Sequence, residues 1–468
     1  MIAGIGHERE RDTGRLTRRR VAGGALLGLS GTGVLAACGT AGAPGSGAQG
    51  GPVTAPAQAT RVEVWHGWTG ARQPLVEQVF AKLMAQYPTI KIEPVIQGVN
   101  SEPGMTKLTA AVAGGTPPDA IMIYQDLLPE YGPRFGVLAT LDDYMRRDGV
   151  KRDLFYEADM AACTSQGKTW MLPHVLPNTY TGLLYNKSLT ARTGVDFDKT
   201  QPATWAEFEE VAAKLSAPQS TPPVVGFVMD TATDRNIEAW WGTQGLAAFS
   251  ADGRKATFAD APNIEVVEWM QRVAPRTAPP EALATVMGGK AVNQTTLTDA
   301  FTSGQLAVLQ TAMYNGYTIS QTKPDIRWGV MPVVPRTRGQ KMALPHKDAW
   351  GYAALQASKA KDAAWLVVKR MTVEEEGGGW LMVQQGRPSP LKKVNDAPDQ
   401  RKNNLYYDVY KKLLENRWTR AGVWVPLDAT RVYTDALKQI AAGAQAPRTA
   451  FQAAATRAQA VLDKEVPR

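Results

Sequence analysis

The chain has 468 residues, of which 44% are hydrophobic and 21% are charged, and its formal net charge is +8. This is the composition of an ordinary globular protein, and the length suffices for two lobes with substantial cores. Residues 1–37 hold six basic and three acidic residues, and the other basic residues are scattered. Because nucleic-acid-binding surfaces concentrate their charge on one face or stripe, the sequence argues against that class.

The two cysteines, Cys38 and Cys163, exclude a disulfide framework, since Cys38 belongs to an export signal. Paired arginines, Arg18 and Arg19, precede a 17-residue apolar stretch at 21–37 that contains five glycines. The stretch is too short and too glycine-rich for a membrane span, and it is typical of a signal peptide. The arginine pair resembles a twin-arginine export signal.

The residues Leu35-Ala36-Ala37-Cys38-Gly39 resemble a bacterial lipobox, in which the cysteine is lipidated and becomes the new N-terminus. An ordinary secreted protein with a chance cysteine is the alternative. Residues 39–58 are rich in Gly, Ala, Ser and Pro and show no apolar periodicity, which predicts a flexible tether. We therefore expect a protein anchored to the outer face of the cell membrane through Cys38.

From residue 61 onward, strand and helix patterns alternate. A strand over 62–65 is followed by a helix with apolar spacing from Leu75 to Met84, a strand over 90–96, a helix over 105–114 and a buried strand over 120–124. This succession predicts a parallel sheet with helices on both faces. Ligands collect at the carboxyl ends of such strands, where the loops beginning at His66 and Tyr124 lie.

Further helices are predicted downstream. The clearest runs over 204–215, where Thr204 is the expected N-cap and Glu207 follows three residues later. The others are expected at 235–246, 263–273, 297–303, 360–371, 400–414 and 431–442. Trp205, Trp269 and Trp365 lie in helical patterns and are predicted to be core residues.

These landmarks, taken in order over residues 62–461, resemble the family 1 extracellular solute-binding proteins, which include maltose- and other sugar-binding proteins of ABC importers. The segments that carry the resemblance are VEVWHGWTG at 62–70, GGTPPDAI at 114–121, GKTWMLP at 167–173, LLYNKSL at 183–189, DGRKATFADAPN at 252–263, FTSGQLAVL at 301–309 and GRPSPL at 386–391.

The resemblance implies a two-lobed α/β fold of the periplasmic-binding-protein type, with a hinge between the lobes and the ligand in the cleft. The expected organisation is a signal peptide at 1–37, a lipidated linker at 38–60, an N-terminal lobe from 61–175 and 346–385, and a C-terminal lobe from 176–345 and 386–468. It also implies that a membrane permease receives the solute, that the protein is a monomer without a cofactor or metal, and that it is not an enzyme.

A sugar site needs aromatic platforms and planar polar side chains. The sequence has 13 Trp and 14 Tyr, several of them in loops. The candidate ligand-binding residues are His66, Trp68, Tyr124, Gln125, Asp126, Tyr180, Trp240, Trp241, Tyr314, Asn315, Gly316, Trp350, Gly351, Arg387 and Trp424.

Some of these candidates have structural alternatives. Trp68 could instead cover the first helix, and Arg387 could form a surface salt bridge. Trp240 and Trp241 point about 100° apart on a helix, so we expect one to stack on ligand and the other to fill the core, without knowing which. Gly351 would allow close approach of backbone to ligand.

The sequence gives weaker support to two other classes, a metal-binding protein and an extracellular enzyme. His66, His174 and His346 lie near the predicted cleft, but the sequence lacks the spacing of a metal site. One of these histidines could instead bind a hydroxyl group or, if charged, an anion. Asp126 with Asp230 could form a glycosidase pair, and Cys163 with His174 is a chance pairing. The favoured ligand is a mono- or oligosaccharide, and the alternative is a glycerophosphodiester or other polyol phosphate.

Overall fold

Two β-sheets with helices on both faces form the architecture. The computed structural model describes residues 51–99, 102–176, 181–340, 344–345, 349–396, 398–399, 407–408, 411, 417–418 and 425–466. The predicted signal peptide, Cys38, Tyr180, His346 and Trp424 lie outside these residues, as does most of the helix predicted at 400–414. No described helix is long and apolar enough to cross a membrane.

The strands and helices follow the alternation seen in the sequence. The strands are β1 (Thr60–His66), β2 (Ile90–Ile96), β3 (Ala120–Tyr124), β4 (Thr164–Ser165), β5 (Lys168–Thr169), β6 (Leu172–Val175), β7 (Thr181–Asn186), β8 (Val225–Phe227), β9 (Leu306–Ala312), β10 (Trp328–Pro332), β11 (Leu344–Pro345), β12 (Trp350–Ala354) and β13 (Arg417–Trp418). The helices are α1 (Gln73–Gln86), α2 (Glu102–Ala113), α3 (Asp142–Arg147), α4 (Glu157–Ala162), α5 (Lys187–Arg192), α6 (Trp205–Leu215), α7 (Asp234–Gly242), α8 (Ala261–Thr277), α9 (Pro280–Met287), α10 (Gln294–Thr302), α11 (Met313–Thr322), α12 (Lys361–Thr372), α13 (Trp380–Gln384), α14 (Leu427–Ala441) and α15 (Pro447–Glu465). Short helical turns lie at Gly70–Arg72, Gln125–Leu127, Glu130–Arg134, Arg152–Leu154, Glu375–Gly379 and Lys392–Asp396.

The first sheet has the strand order β2-β1-β3-β12-β6. Strands β1, β2 and β3 are parallel, with Val62 opposite Ile92 and Val64 opposite Ala120, as the alternation predicted. Strand β12 inserts antiparallel between β3 and β6. Apolar side chains of α1 and α12 cover one face of the sheet, and Leu108 of α2 lies in the core on the other face. This sheet and its helices are the first lobe.

The second sheet has the order β10-β7-β9-β8. Its strand β9 is buried over its whole length, which fits its nearly continuous apolar sequence. Helices α6, α7, α8, α14 and α15 build the large core on one face, while α9, α10 and α11 cover the other. This sheet and its helices are the second lobe.

The chain passes from the first lobe to the second between Val175 and Thr181, and it returns between Pro332 and Trp350. The boundary expected at residue 386 differs from the structure. Leu391 forms a bridge with Phe155 and packs with Val394 in the core of the first lobe. Residues 386–396 therefore stay with the first lobe, because they follow α13 without leaving it, and the described second lobe resumes with α14.

The start of α6 shows how local sequence determines an element. The Thr204 hydroxyl accepts a hydrogen bond from the Glu207 N–H at 3.3 Å, and the Glu207 carboxylate accepts one from the Ala203 N–H at 2.8 Å. These bonds pair two N–H groups near the helix start that have no intrahelical partner. The N-cap prediction is confirmed, and the buried Trp205 and Phe208 then face the second-lobe core.

A polar contact joins the lobes away from the sheets. Arg134 of the first lobe forms an ion pair at 3.1 Å with Glu465, the last residue of α15, and lies 4.0 Å from Glu130. Burial raises the pKa of Glu130. The Arg134 guanidinium opposes this rise, and the Glu465 and Asp428 carboxylates add to it. At pH values above this raised pKa, the ionised Glu130 therefore lowers the free energy of unfolding. This loss becomes smaller as the pH falls through the pKa and the carboxylate takes up a proton.

We expect Glu130→Gln to raise the melting temperature at pH 7.5, because the amide removes the buried charge. The gain should shrink towards pH 4, where Glu130 itself takes up a proton. Thermal denaturation across this pH range measures the effect. Glu465→Gln is the comparison variant: it removes the repulsion on Glu130 but also breaks the ion pair with Arg134, so it should raise the melting temperature less than Glu130→Gln does. A lower melting temperature for Glu130→Gln at pH 7.5 would contradict the assignment.

Candidate ligand-binding site

Four strand ends meet at one edge of the first sheet. Strands β1 and β3 end there at His66 and Tyr124, and β12 begins there with Trp350 opposite both Tyr124 and Val175. The chain leaves for the second lobe just after Val175 and returns just before Trp350. This edge therefore faces the two crossing segments, as expected for a site at the carboxyl ends of parallel strands.

Tyr124 and Trp350 form an aromatic pair at this edge. Their ring centroids are 4.1 Å apart with an interplanar angle of 67°, and both side chains are half-buried. An edge-to-face pair of this kind fixes the orientation of both rings. Asp126, two residues after β3, is exposed beside this strand end. Three of the predicted residues thus lie on one accessible edge.

Two glycines let the Trp350 indole lie against the loops that follow β1 and β2. A Cβ atom on Gly67 would come within 3.4 Å of the ring, and one on Gly98 within 3.0 Å. The Gly98 position would also bring its Cβ to 3.2 Å from the Gly67 Cα. Sequence reasoning did not identify either glycine as part of the site. The available signal was that each glycine closely follows the end of a parallel strand at the ligand edge.

Two predicted neighbours of the edge have structural roles instead. The buried Gln125 side chain donates from its amide nitrogen to the Cys163 sulfur at 3.2 Å, which fixes it in the first-lobe core. A Cβ on Gly351 would lie 2.7 Å from the Leu172 carbonyl oxygen and 2.9 Å from the Met171 sulfur. Gly351 is therefore required by packing against β6 and its preceding residue, which corrects its expected role in backbone approach to ligand.

His66 and Trp68 lie beneath the edge rather than on it. Both are buried, and His66 Nδ1 accepts a hydrogen bond from the Trp68 backbone N–H at 3.2 Å. Burial lowers the pKa of His66 to about 4 and that of His174 to about 3. Both rings are thus neutral at physiological pH, so neither supplies the positive charge considered for an anionic ligand. Among the described residues, no group of three or more His, Cys, Asp or Glu side chains could hold a metal ion.

The Trp240 and Trp241 side chains are both core residues. Each is fully buried. Trp240 donates from Nε1 to Gln310 at 3.0 Å and packs near Trp205, and Trp241 donates to the Asn263 carbonyl at 3.0 Å. A stacking platform needs an exposed ring face, so the expectation that one of the pair contacts ligand is wrong for this structure. The core predictions for Trp205, Trp269 and Trp365 are confirmed, since all three are buried.

Other candidates in the later part of the chain are buried or packed against neighbouring side chains. The buried Asn315 donates from Nδ2 to Thr311 at 2.6 Å, and a Cβ on Gly316 would lie 2.8 Å from the Trp328 ring. Arg387 is buried, not on the surface, and its charge contributes to the low pKa of His174. The Tyr314 side chain is outside the described residues. Asn315 and Gly316 therefore have structural roles in the second lobe.

Two of the residues considered for catalysis, Asp230 and Cys163, have structural roles. Asp230 accepts hydrogen bonds from the Ala232 and Thr233 N–H groups and from the Asn236 amide at 2.9–3.2 Å, which orders the turn before α7. Burial raises the pKa of the Cys163 thiol, and the thiolate is the nucleophilic form. Neither group is set up for reaction in this arrangement.

We expect Trp240→Ala to lower the free energy of unfolding by about 3–5 kcal/mol, because it empties a large core volume and removes the partner of Gln310. Trp350→Ala should cost clearly less, since that ring is half-buried. Urea denaturation measures both variants. A Trp240→Ala protein of unchanged stability would contradict the core assignment and return Trp240 to the list of ligand contacts.

The chain matches known proteins over most of its length. The family model described as bacterial extracellular solute-binding protein matches residues 68–377. Among curated proteins, the sn-glycerol-3-phosphate-binding periplasmic protein UgpB of Brucella abortus (strain 2308) is 26% identical over 192 residues. That alignment covers 41% of this chain and 42% of the relative, so the chain matches less than half of the length of this relative.

Solved structures share the fold across nearly their whole length. CpMnBP1 with mannotriose bound has a TM-score of 0.71 at 20% identity, with 85% of this chain and 99% of that chain covered. The sugar-binding protein MalE from the phytopathogen Xanthomonas citri has a TM-score of 0.68 at 18% identity, with 86% and 98% covered. At these identities the similarity shows the fold, and the predicted two-lobed α/β architecture is confirmed.

Proposed function

The chain belongs to the bacterial extracellular solute-binding proteins, and from this membership we propose that it captures a mono- or oligosaccharide at the Tyr124–Trp350 edge and delivers it to an ABC permease. Members of this family work outside the cytoplasm and bind solutes. The proposal adds the chemical class of the solute and the position of its site.

The proposal rests on the aromatic pair of Tyr124 and Trp350, in which the Trp350 indole packs against Gly67 and Gly98. A pyranose ring presents an apolar C–H face that packs on an indole or phenol ring, while its hydroxyl groups need polar partners nearby. Trp350 and Tyr124 offer half-buried rings in a fixed orientation, and the Asp126 carboxylate is accessible two residues after Tyr124. The structural neighbours named for bound mannotriose and for sugar binding support the same class.

Capture requires the lobes to close around the solute. The chain crosses between the lobes after Val175, before Trp350 and again between residues 396 and 427, and such connections can act as a hinge. A ligand that contacts both lobes favours the closed arrangement. No chemical step is needed for this task. We propose that the protein is not an enzyme, because Asp230 and Cys163 are committed to the fold.

A polyol phosphate is the second candidate ligand, because the curated relatives are named for binding sn-glycerol 3-phosphate. We further propose that Cys38 is lipidated, that residues 39–58 tether the body to the membrane, and that the protein acts as a monomer. The lipobox-like sequence before Cys38 supports the anchor.

A thermal-shift screen tests the ligand class. A ligand at about 100 times its Kd stabilises the folded protein by about 2.7 kcal/mol, so true ligands raise the melting temperature measurably. We expect mannotriose or maltose to raise it and glycerol 3-phosphate to leave it unchanged. A shift with glycerol 3-phosphate alone would favour the second candidate over the carbohydrate proposal.

Two variants test the position of the site with the best sugar from that screen. Trp350→Ala should weaken binding at least about tenfold, which is about 1.4 kcal/mol, since the stacking ring is lost. Gly98→Ala should also weaken binding, because its Cβ would displace the Trp350 ring. Gly51→Ala is the matched control, as a Cβ there meets no atom within 4 Å. Isothermal titration measures all three, and unchanged affinity in both site variants would refute this location.

A further inference from the structure

Several buried polar atoms in the first lobe have no hydrogen-bond partner within 3.5 Å among the described residues, and three of them lie on side chains that contact one another. These three are Trp68 Nε1, His174 Nε2 and the Tyr352 hydroxyl oxygen. Trp68 and His174 are each 2% exposed, and Tyr352 is 0% exposed. Buried polar groups are nearly always paired with protein or with ordered water, because an unpaired one costs about 1–3 kcal/mol.

His174 lies between the other two side chains. The His174 ring centroid is 5.5 Å from that of Trp68 and 4.8 Å from that of Tyr352, and both contacts are edge-to-face. Burial raises the pKa of Tyr352, and the nearby Trp68 indole opposes this rise, which indicates that its N–H lies close to the Tyr352 hydroxyl. The three polar atoms therefore belong to one small buried region.

The hydrogen-bonding roles of these atoms follow from their surroundings. His174 Nδ1 lies 2.5 Å from the Met371 carbonyl oxygen. A carbonyl oxygen only accepts, so the proton of this neutral ring is on Nδ1, and Nε2 is left as an acceptor. The Trp68 indole can only donate, and the Tyr352 hydroxyl can do both.

We propose that these three side chains bind one internal water molecule. The water accepts from Trp68 Nε1–H, donates to His174 Nε2 and forms its third hydrogen bond with the Tyr352 hydroxyl. Three hydrogen bonds are the usual number for a buried water, and the donors and acceptors balance in this arrangement.

The position of this water gives it a role in shaping the ligand edge. Trp68 follows the end of β1 by two residues, His174 is the next-to-last residue of β6, and Tyr352 is on the same face of β12 as Trp350. Through His174 the network also reaches the Met371 carbonyl in the last turn of α12. The water thus joins β12, which carries Trp350 of the aromatic pair, to β6 and to the segment after β1, beside the point where the chain leaves for the second lobe.

A crystal structure at about 1.5 Å resolution tests the proposal without any ligand, so its outcome is independent of the sugar assignment. We expect a density peak at about 2.7–3.2 Å from all three atoms. Direct hydrogen bonds from Trp68 to Tyr352 and from Tyr352 to His174, with no peak between them, would overturn it.

A second measurement tests the tautomer on which the proposal depends. Long-range ¹H–¹⁵N correlation spectra should show the His174 proton on Nδ1 from pH 5 to pH 8. A proton on Nε2 would remove the acceptor that the water needs and would refute the arrangement.

Two tyrosine variants distinguish loss of the water from a general change in packing. In crystals of Tyr352→Phe the peak should disappear, and the melting temperature should fall by about 2–4 °C for the lost hydrogen bonding. Tyr131→Phe, at another buried tyrosine of the first lobe, is the control in which the peak should persist. A full peak and an unchanged melting temperature in Tyr352→Phe would contradict the proposal, and Trp68→Phe provides the same test from the donor side.

Discussion

The antiparallel insertion of β12 between β3 and β6 is the constraint on which the candidate site depends. Its register sets Trp350 opposite Tyr124 on one side and Val175 on the other. The same register turns Gly351 to the opposite face, where only a glycine fits against Leu172 and Met171. A shift by one residue would exchange these faces, removing the indole from the ligand edge and forcing a bulky ring into the packed face.

The local parts of this architecture could be predicted from the sequence. Strands β1, β2 and β3 come within 65 residues and alternate with helices, so the parallel order follows from the chirality of short connections. The N-cap of α6 is equally local, because Thr204 and Glu207 are three residues apart. Strand β12 is different. It returns to β3 after more than 200 residues, and neither its antiparallel direction nor its register is encoded in nearby sequence. Trp350 was identified from its place in a family resemblance rather than from this geometry.

The aromatic residues show where sequence reasoning fails and why. Trp240 and Trp241 were expected to divide between core and ligand, as on a helix with one exposed face. Helix α7 has no such face at these positions, since it packs between β9 and the C-terminal helices. The second face of α7 is covered by α14 and α15, which follow about 190 residues later in the chain. The role of Gly98 was missed for the same reason, because its partner Trp350 is far away in the chain.

Under the proposed function, the placement of the aromatic pair also limits how a ligand can drive closure of the lobes. Every described contact that orients Trp350 comes from the first lobe, namely Tyr124, Gly67 and Gly98. A ligand that contacts only this platform has the same affinity for the open and the closed form. Its binding therefore does not change the ratio of the two forms. The shift must come from groups that reach the ligand only when the lobes approach each other. Under the proposed function, those groups belong to the second lobe. In this proposal the first lobe provides the surface on which the ligand stacks. The second lobe provides the contacts that make the closed form more favourable when the ligand is bound.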